Sequence, residues 1–103
     1  MTNTTIAKKK IISKLPKEEI SQLTFKAEDV LSDINLVARR KIDLQRAQAL
    51  GAQSKSNIKI YVADSKAEEF IVEATVWAAT ENNVTLKGGV IIPNRAIYKV
   101  GFF

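Results

Sequence analysis

The stretch VTLKGGVIIPNRAIYKV, residues 84–100, decides how this chain folds. Each break in it has a backbone cause. Gly88-Gly89 supplies the φ freedom of a tight reversal, so the apolar residues on either side, Val84–Leu86 and Val90–Ile92, read as two short strands. Pro93 has no N–H to give a ladder and ends the second of them. Asn94-Arg95-Ala96 suits one tight turn, after which IYKVGFF, residues 97–103, reads as a last strand.

Immediately upstream, Glu81-Asn82-Asn83 fits a three-residue hairpin loop with Asn83 in the left-handed conformation. That register pairs Ala78 with Leu86 and Thr80 with Val84. A long strand from about Glu68 to Thr80 leads into it, with Phe70, Val72, Ala74, Val76 and Ala78 on one face and Ile71, Glu73, Thr75, Trp77 and Ala79 on the other. Its length predicts a bend. In IKIYVA, residues 58–63, Ile58, Ile60 and Val62 alternate with Lys59, Tyr61 and Ala63, and Asp64-Ser65-Lys66 makes the turn that follows.

Before the polar run at residues 51–57 the period changes from two to that of a helix. Pro16 suits a first helical position, with Glu18 and Glu19 in the first turn and Ile20 and Leu23 as a short apolar stripe. A second turn or helix is predicted through Ala27–Leu31, with Ser32 or Asp33 as the cap of a third and longest helix from about Ile34 to Leu50. Gly51 is its expected C-cap, and Leu36, Val37, Leu44 and Ala47 its packing face. The predicted class is therefore α+β: two or three N-terminal helices packed on a five-stranded, strongly bent antiparallel sheet or small barrel. Residues 18–103 form one domain (a helical region at 18–51 and the strands at 57–103), preceded by a basic arm at 1–17.

Five short strands with a long bent second one, tight hairpins and a one-turn helix before the last strand resemble the SH3-like and Sm-like small barrels. The resemblance is carried by Val84–Val100, where Ile97 and Val100 stand for the apolar pair common on a closing strand. The whole chain is also similar to small uncharacterised bacterial proteins in which a basic, helical N-terminal region precedes such a strand-rich segment. Small barrels host RNA binding, peptide recognition and oligomer assembly, so the resemblance implies a fold without choosing a function.

Charge is unevenly distributed. The formal net charge is +5, and Lys8, Lys9, Lys10, Lys14 and Lys17 fall in the first 17 residues, which hold no acid; the remainder has 11 basic and 11 acidic residues. The tail reads as a solvated end, as a phosphate-contacting arm, or as a basic segment for an anionic membrane surface. With neither histidine nor cysteine, the usual general base, thiol nucleophile and zinc ligands are missing, so no enzyme, cofactor or metal site is expected. The start MTNTTIAKKKIISK lacks the apolar run of a signal peptide, and no stretch approaches the ~18 apolar residues of a membrane span. A cytoplasmic location without a transmembrane segment is expected.

Two sets of residues are candidates for binding. The polyanion set is Lys8, Lys9, Lys10, Lys14, Lys17, Arg39, Arg40 and Lys59. Within it, Arg39 can pair with Asp43 four residues on, while Arg40 can lay its stem on the sheet and reach Glu69 or Glu73, or hold an anion. The interaction set is Tyr61, Trp77, Phe102 and Phe103. Trp77 either receives the helix at Leu36, Val37 and Leu44 or stays open as a ligand platform. The leading expectation is a non-enzymatic module that binds a protein partner or its own copies through strands; the alternative is a nucleic-acid-binding module using the arm and the basic helix.

Overall fold

The computed structural model describes residues 12–103. Among them run β1 (Ser13–Lys14), a 3-10 helix (Lys17–Gln22), α1 (Ile34–Ser54), β2 (Ile58–Ala63), β3 (Glu69–Ala74), β4 (Val76–Ala79), β5 (Asn83–Leu86), β6 (Ile91–Pro93), a second 3-10 turn (Asn94–Ala96) and β7 (Ile97–Gly101). One sheet has the order β1-β3-β2-β7 and the other β4-β5-β6. Over the described residues the chain is α+β, with one main helix and seven strands in two sheets that do not close into a barrel. This corrects the predicted two or three helices on a single five-stranded bent sheet or barrel.

The corrections have local causes. The predicted first helix is a 3-10 turn that buries only Ile20 and begins after Pro16, which stays extended at ψ 140°. Its one buried side chain gives too little apolar stripe to hold a regular helix. Residues 27–31 are irregular because Asp29 turns its carboxylate back on the chain, accepting from Leu31 N at 2.8 Å, and meets Arg40 from α1. Within the basic arm, Ser13 and Lys14 add a parallel strand to β3, opposite Phe70 and Ile71.

The long predicted strand breaks at Thr75. Its buried hydroxyl lies 2.9 Å from Asn57 Oδ1 and 3.2 Å from Lys55 O, while its carbonyl accepts from Lys87 N. Thus Thr75 is tied to the start of β2 on one side and to the end of β5 on the other, and the strand passes from one sheet to the other at that corner. The next irregularity is a bulge at Trp77. Ala79 faces Val84 and Ala78 faces Thr85, so the predicted Ala78–Leu86 register is already off by one at the hairpin, where Thr80 N donates to Asn83 O; the residue inserted at Trp77 shifts it again, and Val76 faces Leu86. Asn83 has ordinary negative φ and belongs to β5; the Thr80 hydroxyl, between Asn83 O and Asn83 N, closes the loop in its place.

The core lies between the sheets and under α1. Ile58, Ile60 and Val62 from β2 meet Val72, Val76, Val84, Leu86, Ile92 and Ile97, all buried. From α1, the stripe Arg40, Leu44, Ala47 and Gly51 faces inward at the spacing of one helix side. Asp33 caps the helix, accepting from Asn35 N at 2.7 Å. The helix runs past the predicted end: Gly51 is interior, and Lys55 takes the left-handed C-terminal conformation at φ 56°. Glycine at 51 is required by proximity, because a Cβ there would collide with the carbonyl oxygen of Val76.

This close approach lets α1 serve both sheets. β4 and β7 are outer strands of their respective sheets, and α1 packs against each. Gln48 Oε1 accepts from Ala79 N at 2.6 Å, and Arg40 Nη1 donates to Ile97 O at 2.9 Å. Main-chain groups that a barrel would join strand to strand are met instead by two helix side chains.

Candidate interaction surface

A 21-residue helix that spends one side on the core has other sides to account for. Ala38, Ile42, Gln45, Ala49 and Ala52 are all exposed, and their spacing of four, three, four and three places them in one row. Ile34 at 80% and Ile42 at 61% exposure are the large apolar members of this surface. Between Lys41 on one border and Arg46 on the other, the row contains no charge.

Beside it, α1 and the β4–β5 hairpin enclose a groove of about 500 Å³. Ile34, Val37, Ala38 and Leu44 form one wall, and Ala79, Thr80, Glu81 and Asn94 the other. Lys41 and Glu81 face each other across it at 3.4 Å. Asn94 holds the hairpin in place: its backbone N–H donates to Asn82 O at 2.8 Å, and Nδ2 donates to Thr80 O and Glu81 O at 2.9 and 3.1 Å. Its Oδ1 is buried and has no hydrogen-bond partner among the described residues. In sequence Asn94 reads as a turn residue only, since its partners lie more than ten positions away.

The predicted residues are dispersed around the molecule. Arg40 is 8% exposed and makes a two-pronged ion pair with Asp29, Nη1–Oδ1 2.8 Å and Nη2–Oδ2 2.6 Å. Hydrogen bonding to this guanidinium holds the Asp29 carboxyl below its usual range, against the opposing effect of burial. Arg39 lies 3.4 Å from Asp43. Lys14 pairs with Glu73 at 3.3 Å, and Lys17 Nζ donates to Lys87 O at 2.6 Å. Lys8, Lys9 and Lys10 lie outside the described residues.

Lys59 and Tyr61 do share a face with further rings. Lys59 Nζ stands 5.0 Å from the Phe103 ring centre, and Lys99 Nζ 5.2 Å from that of Tyr61. Tyr61 also meets Tyr98 edge-on at 5.8 Å. Tyr98 donates to Glu69 Oε1 at 2.8 Å, and burial together with that carboxylate pushes its phenol well above the ordinary tyrosine range. Phe102 is half-buried against the core with Arg46 over its ring at 4.3 Å, whereas Phe103 is 76% exposed. Trp77 is 57% exposed and is not covered by α1. The bulge sets it apart from the alternation that would have turned it under the helix, and Leu36, expected to receive it, is exposed as well.

Among the described residues no helix is long and apolar enough to cross a membrane, and no cluster of His, Cys, Asp or Glu is arranged to hold a metal. No protein-family model matches the chain, and comparison with curated proteins and with solved structures found no match either.

Proposed function

We propose that the protein is a non-catalytic interaction module that binds a protein partner along the exposed row of α1 and the groove beside it. The observation that carries this reading is an uncharged helix face, from Ile34 to Ala52, with two isoleucines in solvent. At 1.5 Å per residue it is about 27 Å long. Single exposed isoleucines are ordinary, but two on one uncharged row beside a groove of mixed apolar and polar lining make a continuous surface of the kind that partners cover. Helix side chains satisfy main-chain groups at the outer strands β4 and β7, so α1 is a better docking element than those strand edges.

The test is Ile42→Glu. Ile42 is exposed, so the change should leave stability within about 0.5 kcal/mol of the original, checked by circular dichroism and urea unfolding. Tagged protein is then used to capture partners from lysate. Loss of a specific captured protein on Ile42→Glu is the expected result; identical capture by both forms would exclude this face.

A second reading rests on Lys59 with Phe103 and Lys99 with Tyr61, two ring–cation pairs on one face of a kind used to hold single-stranded nucleic acid. Glu69 and Glu73 on the neighbouring strand dilute its charge, and the burial of Arg40 against Asp29 removes that cation from the surface. Fluorescence anisotropy with single-stranded RNA at low salt decides it. Binding that weakens in a Lys59→Ala, Lys99→Ala double variant would favour this reading, and absence of binding would end it.

A further inference from the structure

We infer that the partner seated on α1 is itself an amphipathic helix whose apolar stripe is bordered by acidic side chains. This rests on the interaction reading above and specifies the occupant. The row Ala38, Ile42, Gln45, Ala49, Ala52 alternates steps of four and three, the 3.5-residue average at which one helix lies along another. Three of its five members are alanine, which lets a second backbone come close. Ile42 supplies the one large knob, and the groove beside Ile34 and Val37 is a hole for a large apolar side chain from the partner.

Charge chooses between possible helices. Arg39 and Arg46 follow one border of the row, Lys41 lies on the other, and Lys55 stands just beyond the helix end, all four exposed. The only acid within α1, Asp43, lies away from the row and is engaged with Arg39. The one carboxylate at the row's edge is Glu81, already 3.4 Å from Lys41. A second copy of this chain fits poorly. Placed antiparallel, its Arg39 and Arg46 would face the same two arginines; placed parallel, they would face Lys41. Like charges oppose both arrangements. An acid-bordered helix meets opposite charge on each side, and its carboxylates can take over Lys41 from Glu81 and so open the groove.

The experiment uses the full chain and three labelled synthetic helical peptides with one leucine/alanine stripe, bordered by glutamate, by glutamine or by lysine. Binding is followed by fluorescence anisotropy at low and high salt. The glutamate peptide is expected to bind about tenfold more tightly than the glutamine peptide at low salt, with the difference fading at high salt, and the lysine peptide to bind least. Ile42→Glu should abolish glutamate-peptide binding. An Arg39→Glu, Arg46→Glu double variant should shift the preference toward the lysine peptide, an outcome that loss of folding cannot imitate. Equal binding of glutamate and glutamine peptides would overturn the acidic partner while leaving the interaction face intact. So would binding of no peptide, if Ile42→Glu still removed a captured lysate protein. A dimer in light scattering that Ile42→Glu dissociates would overturn it in favour of a second copy.

Discussion

Alongside the hydrogen bonds of Val30 and Lys26 with Arg95 and of Thr24 with Ser65, Arg40 ties the N-terminal segment to the helix and the sheet. Its guanidinium links α1 to Asp29 in the irregular segment and to Ile97 O in β7, joining three parts of the chain that share no strand pairing. A buried guanidinium without its carboxylate is costly, so Asp29→Asn is expected to lower stability by about 2 kcal/mol at neutral pH, less than a fully buried pair because Asp29 is partly solvated. The pH dependence follows from the direction of the shift. Asp29 is held below its unfolded value, so the folded state binds fewer protons; its contribution is complete above about pH 4 and is lost as pH falls through the lower folded value. Urea midpoints of the two proteins should therefore converge in acid, separate as pH rises toward about 4 and keep a constant gap above it; a gap that persisted unchanged into acid would show that the ion pair is not the cause. The sequence shows Arg40 as inward-facing and leaves its partner open among Glu69, Glu73 or an anion. Asp29 was hidden because its role depends on segment 27–31 being irregular, and its spacing suggests helix capping instead.

At the scale of elements, the strands of the C-terminal half were legible and the helical half was less so. Strand alternation in IKIYVA survives because Ile58, Ile60 and Val62 meet the core whatever the strand's neighbours do. Period two does not report where a strand changes sheet or bulges; Thr75 makes the change through hydrogen bonds to residues more than ten positions away, and the bulge at Trp77 shows only in the pairing with β5. Two substitutions separate these effects. Gly51→Ala would raise helix propensity in isolation, yet here it is expected to cost about 2–3 kcal/mol because its methyl meets the Val76 carbonyl and pushes α1 off β4. Thermal or urea unfolding measures it, and a neutral or stabilising result would mean that α1 does not approach β4 this closely. Trp77, the only tryptophan, is expected to emit like indole in water and to be quenched by acrylamide almost as fully as in the unfolded chain. A blue-shifted, protected emission would place the ring beneath α1 instead. The exposed row on α1 is itself written in the sequence, but the inward Gly51 disguises which side is buried, since it reads as a C-cap and not as part of a packing face.

Across the whole molecule, the two sheets are joined through covalent corners at Thr75 and at Asn94–Ala96 and through one helix lying on β4 and β7. The +5 charge that first draws attention to nucleic acid equals that of the five lysines of residues 1–17, of which Lys14 and Lys17 are engaged with Glu73 and Lys87 O on the folded surface, while other cations border an uncharged row. Packing on both β4 and β7 gives α1 a further consequence for the behaviour of the protein at high concentration. Lifting the helix would uncover two outer strands at once, each a template for pairing with strands of other molecules, so α1 is also a guard against fibril formation. Gly51→Ala should then bind thioflavin sooner than Val84→Ala, a core truncation of comparable cost that leaves the helix seated. Equal lag times would make aggregation a matter of stability alone; a shorter lag for Gly51→Ala would mean that the element offered to partners also keeps the strands from recruiting their own kind.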